Sequence, residues 1–277
     1  MRQIYYWAAA DRLVYIDEQA TPEFWDAYWQ SAGPPPPLHP KHHVRVVTSR
    51  FLARGARVLE GGCGRGDKVN AMAEEGFSSV GVDFGRNTVG HAREHFPGID
   101  IREGDVRALD FPDETFDGYW SIGVIEHFWD GYEDILQEAV RVLKPGAFLF
   151  LTAPWFSPYR HRLARKEHIP SADYAAAPEN FYQFALSRRE IRRMLHKHGF
   201  ELQLWRGVAP EICMREGGAT FAKLADWLYG TRGSLVKRGM RFLMTPFLSR
   251  YCGHSFLAVA QRRARLSTPA SEDADRG

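Results

Sequence analysis

The sequence predicts an α/β fold built around a doubly wound, mostly parallel sheet, and three observations carry that expectation. From about residue 41 onward, short apolar runs alternate with stretches of helical spacing, joined by short turns. The first of those runs ends in four closely spaced glycines, Gly61, Gly62, Gly64 and Gly66, in "RVLEGGCGRGDKV" (57–69). Acids stand at the ends of successive strands, at Glu60, Asp83 and Asp105, and parallel sheets bind their ligands outside the carboxyl ends of their strands.

Composition bounds the function classes. The 277 residues suffice for one large α/β domain with insertions, or for two small domains. A hydrophobic content of 44% and a charged content of 25% are ordinary for a soluble globular chain. The net charge of +2 is too small to make nucleic acid a bulk partner. Cys63, Cys213 and Cys252 form no CxxC pair. Neither a zinc site nor a disulfide framework is suggested, and a reducing, cytoplasmic setting fits. The start, "MRQIYYWAAADRLVYIDE", is broken by Asp11 and Arg12 and lacks a signal-peptide pattern. The absence of an apolar run of about 18 residues predicts no spanning helix.

The elements follow in order. Residues 1–40 read as an aromatic N-terminal appendage. Within it "TPEFWDAYW" starts a helix, with Thr21 as N-cap, Pro22 first and Glu23 in the first turn. "GPPPPLHP" (33–40) is a stiff extended connector. A helix is predicted over 41–53, a strand over 56–60, and a helix over 66–75 after the glycine loop. "SSVGVDF" (78–84) is a strand and "RNTVGHAREHF" (86–96) a helix stopped by Pro97 and Gly98. Strands are predicted at 99–105 and 115–125. Ile135, Leu136, Ala139, Val140 and Leu143 give helical spacing over 132–143, ended by "KPG" (144–146). "AFLFLTAP" (147–154) is a strand buried on both faces.

The loop can be tested against two phosphate-binding patterns. A Walker-type loop requires Lys directly after the second glycine, but Asp67 intrudes before Lys68. A dinucleotide fingerprint would put Gly or Ala where Asp67 stands. An acid there would repel a pyrophosphate at the helix N-terminus. Glu60 makes the loop still less suited to phosphate, whereas a ligand with a positive or zwitterionic end suits it.

At this point "VLEGGCGRG" resembles motif I of the class I S-adenosylmethionine-dependent methyltransferases, and the later parts follow in that family's order. "VGVDF" is similar to its second motif, "EGDVRALDFPDETFDGYWSIGVIEHF" to its third and fourth, and "EAVRVLKPGAFLFLTAP" to the helix and fifth strand beyond. The resemblance covers roughly 41–205, with a last strand near 254–261. It implies a Rossmann-like, seven-stranded sheet with an antiparallel last strand. It also implies S-adenosylmethionine as cofactor and S-adenosylhomocysteine as product.

Residue by residue, the resemblance implies that Glu60 and the backbone of Gly61, Gly62, Cys63, Gly64 and Gly66 hold the methionine end. Asp83 would accept from both ribose hydroxyls, having two carboxylate oxygens for two donors. Phe84 would lie beside the adenine. Asp105 would accept from its amino group, with the Val106 amide nearby. Ser121 and Ile122 would line the cofactor with main chain. Glu126 and His127, in "IEHFWD", are the candidate catalytic pair. Histidine can take a proton near neutral pH, if the acceptor must lose one. The alternative is that His127 is structural. His39, His42 and His43 read as a solvated helix start, and no metal is expected.

Nucleic acid is disfavoured as substrate. "SIGV" (121–124) stands where amino-group DNA methyltransferases carry an acidic-Pro-Pro-aromatic motif, and no cysteine follows the fourth strand. In "SRREIRRMLHKHGFE" (187–201) the arginines oppose a core face of Ile191, Met194 and Leu195. Specificity is expected in three departures: the aromatic N-terminus, read as a lid, and inserts at 155–186 and 207–252 of a methyltransferase domain spanning 41–261. Residues 218–252 hold six Lys or Arg and one acid, Asp226. Val236, Met240, Leu243 and Phe247 fall on one helical face, with Lys237, Arg238 and Arg241 beside it. Such a helix can touch an anionic membrane surface through 218–250. Packing on the domain is the simpler expectation. The tail 262–277 is polar and expected to be disordered.

The expected function is methyl transfer to a small-molecule acceptor, with O-methylation of a sugar or secondary metabolite first. The alternatives are a lipid-linked or polyprenyl acceptor, or a non-catalytic cofactor-binding partner subunit. Oligomeric state is left open.

Overall fold

A computed structural model describes residues 3–264 apart from 36, 217 and 231–233. The chain opens with a hairpin, β1 (Gln3–Trp7) and β2 (Arg12–Ile16), followed by α1 (Pro22–Ser31) and α2 (His43–Phe51). Strands and helices then alternate through β3 (Arg57–Gly61), α3 (Asp67–Glu74), β4 (Ser78–Asp83), α4 (Arg86–His95), β5 (Asp100–Glu103), β6 (Phe116–Ile122), α5 (Glu133–Val142) and β7 (Leu143–Pro154). Beyond them come α6 (Pro158–Arg165), β8 (Phe181–Ala185), α7 (Arg188–Lys197) and β9 (Phe200–Val208). The last described elements are α8 (Pro210–Glu216), α9 (Ala219–Tyr229), α10 (Leu235–Cys252) and β10 (Ser255–Arg262).

Seven strands form one sheet in the order β5-β4-β3-β6-β7-β10-β9. Neighbours from β5 to β7 pair in parallel, and β10 is antiparallel to both β7 and β9. This is the doubly wound sheet with an antiparallel last strand that the sequence predicts. The strand order reverses between β3 and β6, so their following loops diverge and leave a crevice above their carboxyl ends. Leu149, Phe150 and Leu151 of β7 are buried in succession, as a strand covered on both faces requires. Trp120 of β6 stacks on Phe150 with ring centroids 4.7 Å apart. Its indole donates to Thr48 Oγ1 of α2 at 2.9 Å, which satisfies the buried donor. Ile191, Met194 and Leu195 form the buried face of α7, with its arginines opposite in solvent.

"KPG" does not end the helix before β7. The helix closes at Val142, and Leu143 already pairs with Phe116. Lys144–Ala147 are looped out of the ladder before Phe148 pairs with Gly118. The irregularity absorbs the proline, which has no N–H to give the ladder.

A second, three-stranded sheet has the order β1-β2-β8. It joins the N-terminal hairpin to the segment inserted after β7, with Leu13 opposite Ala185 and Val14 opposite Phe184. None of its strands is predicted by the sequence. The hairpin turn is built from Ala8–Ala10 and closed by Asp11 at a φ of 53°, where a glycine or asparagine would have been the usual sign.

α10 also departs from expectation. Val236, Met240, Leu243 and Phe247 are 72%, 38%, 67% and 75% exposed, so this face does not pack on the domain. Its buried residues are Ser249 and Cys252, in the last turns. There a Cβ on Gly207 of β9 would come 1.9 Å from the Ser249 carbonyl oxygen, so only glycine permits the approach. Arg262, the first residue of the predicted tail, instead ends β10 and pairs with Phe200; from 265 on the tail lies outside the described residues.

Candidate functional site

A cavity of about 1000 Å³ opens above the carboxyl ends of β3, β4 and β6. Gly62, Cys63, Gly64, Asp83, Phe84, Asp105, Val106, Ile122, Glu126 and His127 line it. The structure thus gathers these sequence-predicted residues at one place. Glu60, Gly61, Gly66 and Ser121 are absent from that lining; Glu60 and Ser121 are buried.

The glycine loop folds back on β4 rather than presenting its amides outward. Gly62 and Cys63 donate to the Val82 carbonyl at 2.8 and 3.0 Å, and Gly64 donates to Asp83 Oδ2 at 2.8 Å. Gly66 donates to the Cys63 carbonyl at 3.0 Å. Those N–H groups are therefore engaged within the protein, unlike the outward row that cradles a phosphate. Gly62 has a φ of +72°, and a Cβ there would meet Val124 Cγ2 at 2.4 Å. Both facts require glycine, and the bare backbone forms part of the cavity floor.

The acids sit in three different settings. Neither Glu60 oxygen has a hydrogen-bond partner, and Lys68 Nζ stands 4.0 Å from Oε1. Burial pushes the Glu60 carboxyl up to about 8; Lys68 opposes the rise, and Asp67 and Asp83 add to it. Burial lowers Lys68, but Glu60 and Asp67 outweigh it, so the ammonium stays charged. Asp83 is shifted upward, chiefly by burial, against the pull of the Gly85 and Gly64 amides. Asp105 is turned toward Arg107, which donates to both its oxygens and holds its carboxyl below the usual range. It stands in the turn beyond β5, paired with Ala108, rather than at the strand end.

Beyond β6 the chain makes a short 3-10 turn, Ile125–His127. Glu126 is buried, its Oε2 accepts no hydrogen bond, and burial pushes its carboxyl up to about 8. His127 Nδ1 lies 2.7 Å from the Tyr182 carbonyl oxygen. A carbonyl only accepts, so Nδ1 carries a hydrogen. The imidazole ring stands between Trp25 and Tyr182, at centroid distances of 5.0 and 5.2 Å. Tyr182 belongs to β8, so the second sheet orients this histidine.

α1 covers the cavity, contributing Trp25, Tyr28 and Trp29 to its wall. Asp26 Oδ1 accepts from the Thr88 amide at 2.9 Å and its hydroxyl at 2.7 Å, which caps α4 from outside. Arg65 of the glycine loop stacks over Trp29 at 5.1 Å and donates to the Gly33 carbonyl at 2.6 Å. Phe128, Trp129, Phe181 and Tyr182 also line the cavity.

Sequence reasoning missed several of these residues. Lys68 could have been found, since it lies in the first turn of the helix behind the loop. Arg107 stands two residues after Asp105 and could have been suspected as its partner. Tyr182 had no local signal, because β8 sits in an insert without clear periodicity. His42 caps α2 with Nδ1 accepting from Val44, and burial pushes the neighbouring His43 down to about 4. Among the described residues no group of three His, Cys, Asp or Glu could hold a metal ion.

The residues fit a cationic nucleoside. A buried carboxyl without a hydrogen bond lies under the loop beside Lys68, a second acid caps β4, and aromatic rings line the walls. The matching family model is "Methyltransferase domain", over residues 59–151. A relative from Mycolicibacterium smegmatis, described as a "Probable S-adenosylmethionine-dependent methyltransferase", is 32% identical over 184 residues, 65% of this chain and 67% of the relative. Two similarly described Mycobacterium tuberculosis relatives match over only 44% of their length. A "Ubiquinone biosynthesis O-methyltransferase" from Xanthomonas oryzae is 33% identical, over 54% of this chain and 63% of its own. Among solved structures, a SAM-dependent methyltransferase from Aquifex aeolicus is similar with a TM-score of 0.52 at 14% identity, covering 86% of this chain and 98% of that one. That last likeness concerns the fold alone.

Proposed function

The chain belongs to the S-adenosylmethionine-dependent methyltransferases, and on that premise we propose that it O-methylates a small hydroxylated acceptor, a sugar or another secondary metabolite. The observation that carries this reading is the shared cavity: His127 lines the same space as the glycine loop and Asp83. When bound, the cofactor supplies an electrophilic methyl group on a sulfonium. Everything else is the work of the chain. Beneath the loop, Glu60, ionised as an ammonium binds, suits that ammonium, and Lys68 suits a carboxylate. Asp83, with lone pairs beyond those used by Gly64 and Gly85, accepts from the ribose hydroxyls. Phe84 and Val106 flank the adenine, and Asp105 accepts from its amino group while bound to Arg107. Gly61 and Gly66 shape the loop, and Ser121 and Ile122 border the cofactor through main chain.

At the acceptor end, His127 Nε2 takes the hydroxyl proton as general base. Glu126, protonated at neutral pH, orients the acceptor through a hydrogen bond. The rings of Trp25, Phe128, Trp129 and Tyr182 stack on it and exclude water. α1 acts as the lid. Alignment is the chief contribution, since orientation can lower a barrier by about 7–11 kcal/mol.

A lipid-linked or polyprenyl acceptor is a second reading. It is favoured by the outward apolar face of α10 and by the name of the ubiquinone-biosynthesis relative. The test is a screen of hydroxylated acceptors with isotopically labelled methyl donor, following label transfer and S-adenosylhomocysteine together. Label on a hydroxyl oxygen is expected. Label found only on nitrogen or carbon would contradict the O-methylation reading.

A further inference from the structure

α9 and α10 present an apolar surface that no other described residue covers. On α10, Leu235, Val236, Phe242, Leu243 and Phe247 are 82%, 72%, 80%, 67% and 75% exposed. Val236, Met240, Leu243 and Phe247 recur every three or four residues, and Leu235 and Phe242 flank that row, so they form one broad stripe. Trp227 of α9 and Tyr251 of α10 add two half-exposed amphipathic rings, at 49% and 40%. Arg238, Arg241 and Arg250 are exposed on α10, and Lys223 on α9. The single acid in 218–252, Asp226, is bound to Arg215 at 2.9 Å.

We propose that this face seats the protein on an anionic lipid bilayer. Leucine and phenylalanine side chains would enter the boundary between headgroups and acyl chains, and the arginines would meet lipid phosphates. Trp227 and Tyr251 have the form that favours a membrane–water interface. Charge decides against a second copy of the chain. A two-fold contact would bring this face against itself, setting arginines near arginines with one acid per copy, already bound, to offset them. The helix lies on the bilayer rather than crossing it. No described helix is long and apolar enough to span.

The placement has a consequence for the cavity. Ser255 pairs with both Pro154 and Val208, so α8, α9 and α10 leave the sheet at the carboxyl edge of β7. Ser121 pairs with Gly61 and Leu151, so the glycine loop leaves by the same edge. The bilayer-seated face and the cavity therefore rise from one side of the sheet, which would admit an acceptor dissolved in the membrane. That last step rests on the proposed reading of the site, whereas the membrane contact does not.

The test is flotation of the full chain with vesicles of phosphatidylcholine alone or mixed with phosphatidylglycerol. The protein is expected to float with the mixed vesicles and to remain behind with the neutral ones. Replacing Phe242, Leu243 and Phe247 together by Ser should weaken partitioning roughly tenfold or more. Arg238→Glu with Arg241→Glu should do likewise. All these residues are exposed, and S-adenosylhomocysteine binding by calorimetry should be unchanged in both variants, which shows that they are folded. Wild-type protein left behind by anionic vesicles would overturn the proposal, as would a serine variant that floats as well as wild type. A wild-type dimer made monomeric by the serine substitutions would assign the face to a second copy. Loss of S-adenosylhomocysteine binding in the wild type would instead sink the site reading and leave the membrane result standing.

Discussion

Asp83 serves two tasks that a substitution can separate. Its oxygens already accept from the Gly64 and Gly85 amides, and the proposed site adds two ribose donors. Asp83→Ala should weaken S-adenosylhomocysteine binding about tenfold or more, from the loss of about 1–3 kcal/mol of hydrogen bonding, and should lower the thermal midpoint too, because two buried amides lose their acceptor. Calorimetry and a melting curve read the two effects. His127→Ala should leave that binding intact and slow turnover about 10²–10⁴-fold, as removal of a general base does. Normal turnover would make the histidine structural. Glu60 gives a pH signature. With its carboxyl pushed up to about 8, the free protein carries a proton there at neutral pH. An ammonium neighbour favours the ionised form, so binding should expel that proton. Affinity should therefore rise between pH 6 and 7 by up to about tenfold, and fall as pH is lowered. Titrations in buffers of different ionisation heat should show proton release, and Glu60→Gln should abolish it. These acids were legible as residues because each ends a strand or its turn. Their partners were legible only as near neighbours in sequence: that Arg107 pairs with Asp105 and Lys68 meets Glu60 depends on side-chain direction.

Among the elements, α1 is the one whose hold can be loosened singly. Thr21 caps it as the sequence predicts, accepting from Phe24 at 3.2 Å. One contact that holds it over the cavity is Asp26, which caps α4 from outside, a contact that spacing along the chain cannot reveal. Asp26→Ala should cost about 1 kcal/mol locally, as loss of a cap does. Cleavage by a protease within 17–34 should speed up and S-adenosylhomocysteine should dissociate several-fold faster, both read directly by digestion and stopped-flow. Equal rates would make α1 a fixed strap. The strands and helices of the main sheet were legible because each carries its own period. The second sheet was not, since its hairpin turns on alanines and its third strand lies about 165 residues away. The outward turn of α10 was not legible either, because an amphipathic stripe looks the same whether it faces core or solvent.

For the molecule as a whole, the claim is that strand order creates the site. β3 and β6 part at the reversal, their loops frame the crevice, and α1 and β8 complete it, both against His127. The family's order of motifs made the sheet readable in advance, while the acceptor side, built from chain outside those motifs, had to be seen. The most direct measurement is a crystal structure of the protein with S-adenosylhomocysteine. The account predicts ribose hydroxyls on Asp83, adenine between Phe84 and Val106, and the amino end above Glu60 and Lys68. A ligand lodged away from Asp83, or one whose amino end avoids the glycine loop, would contradict it.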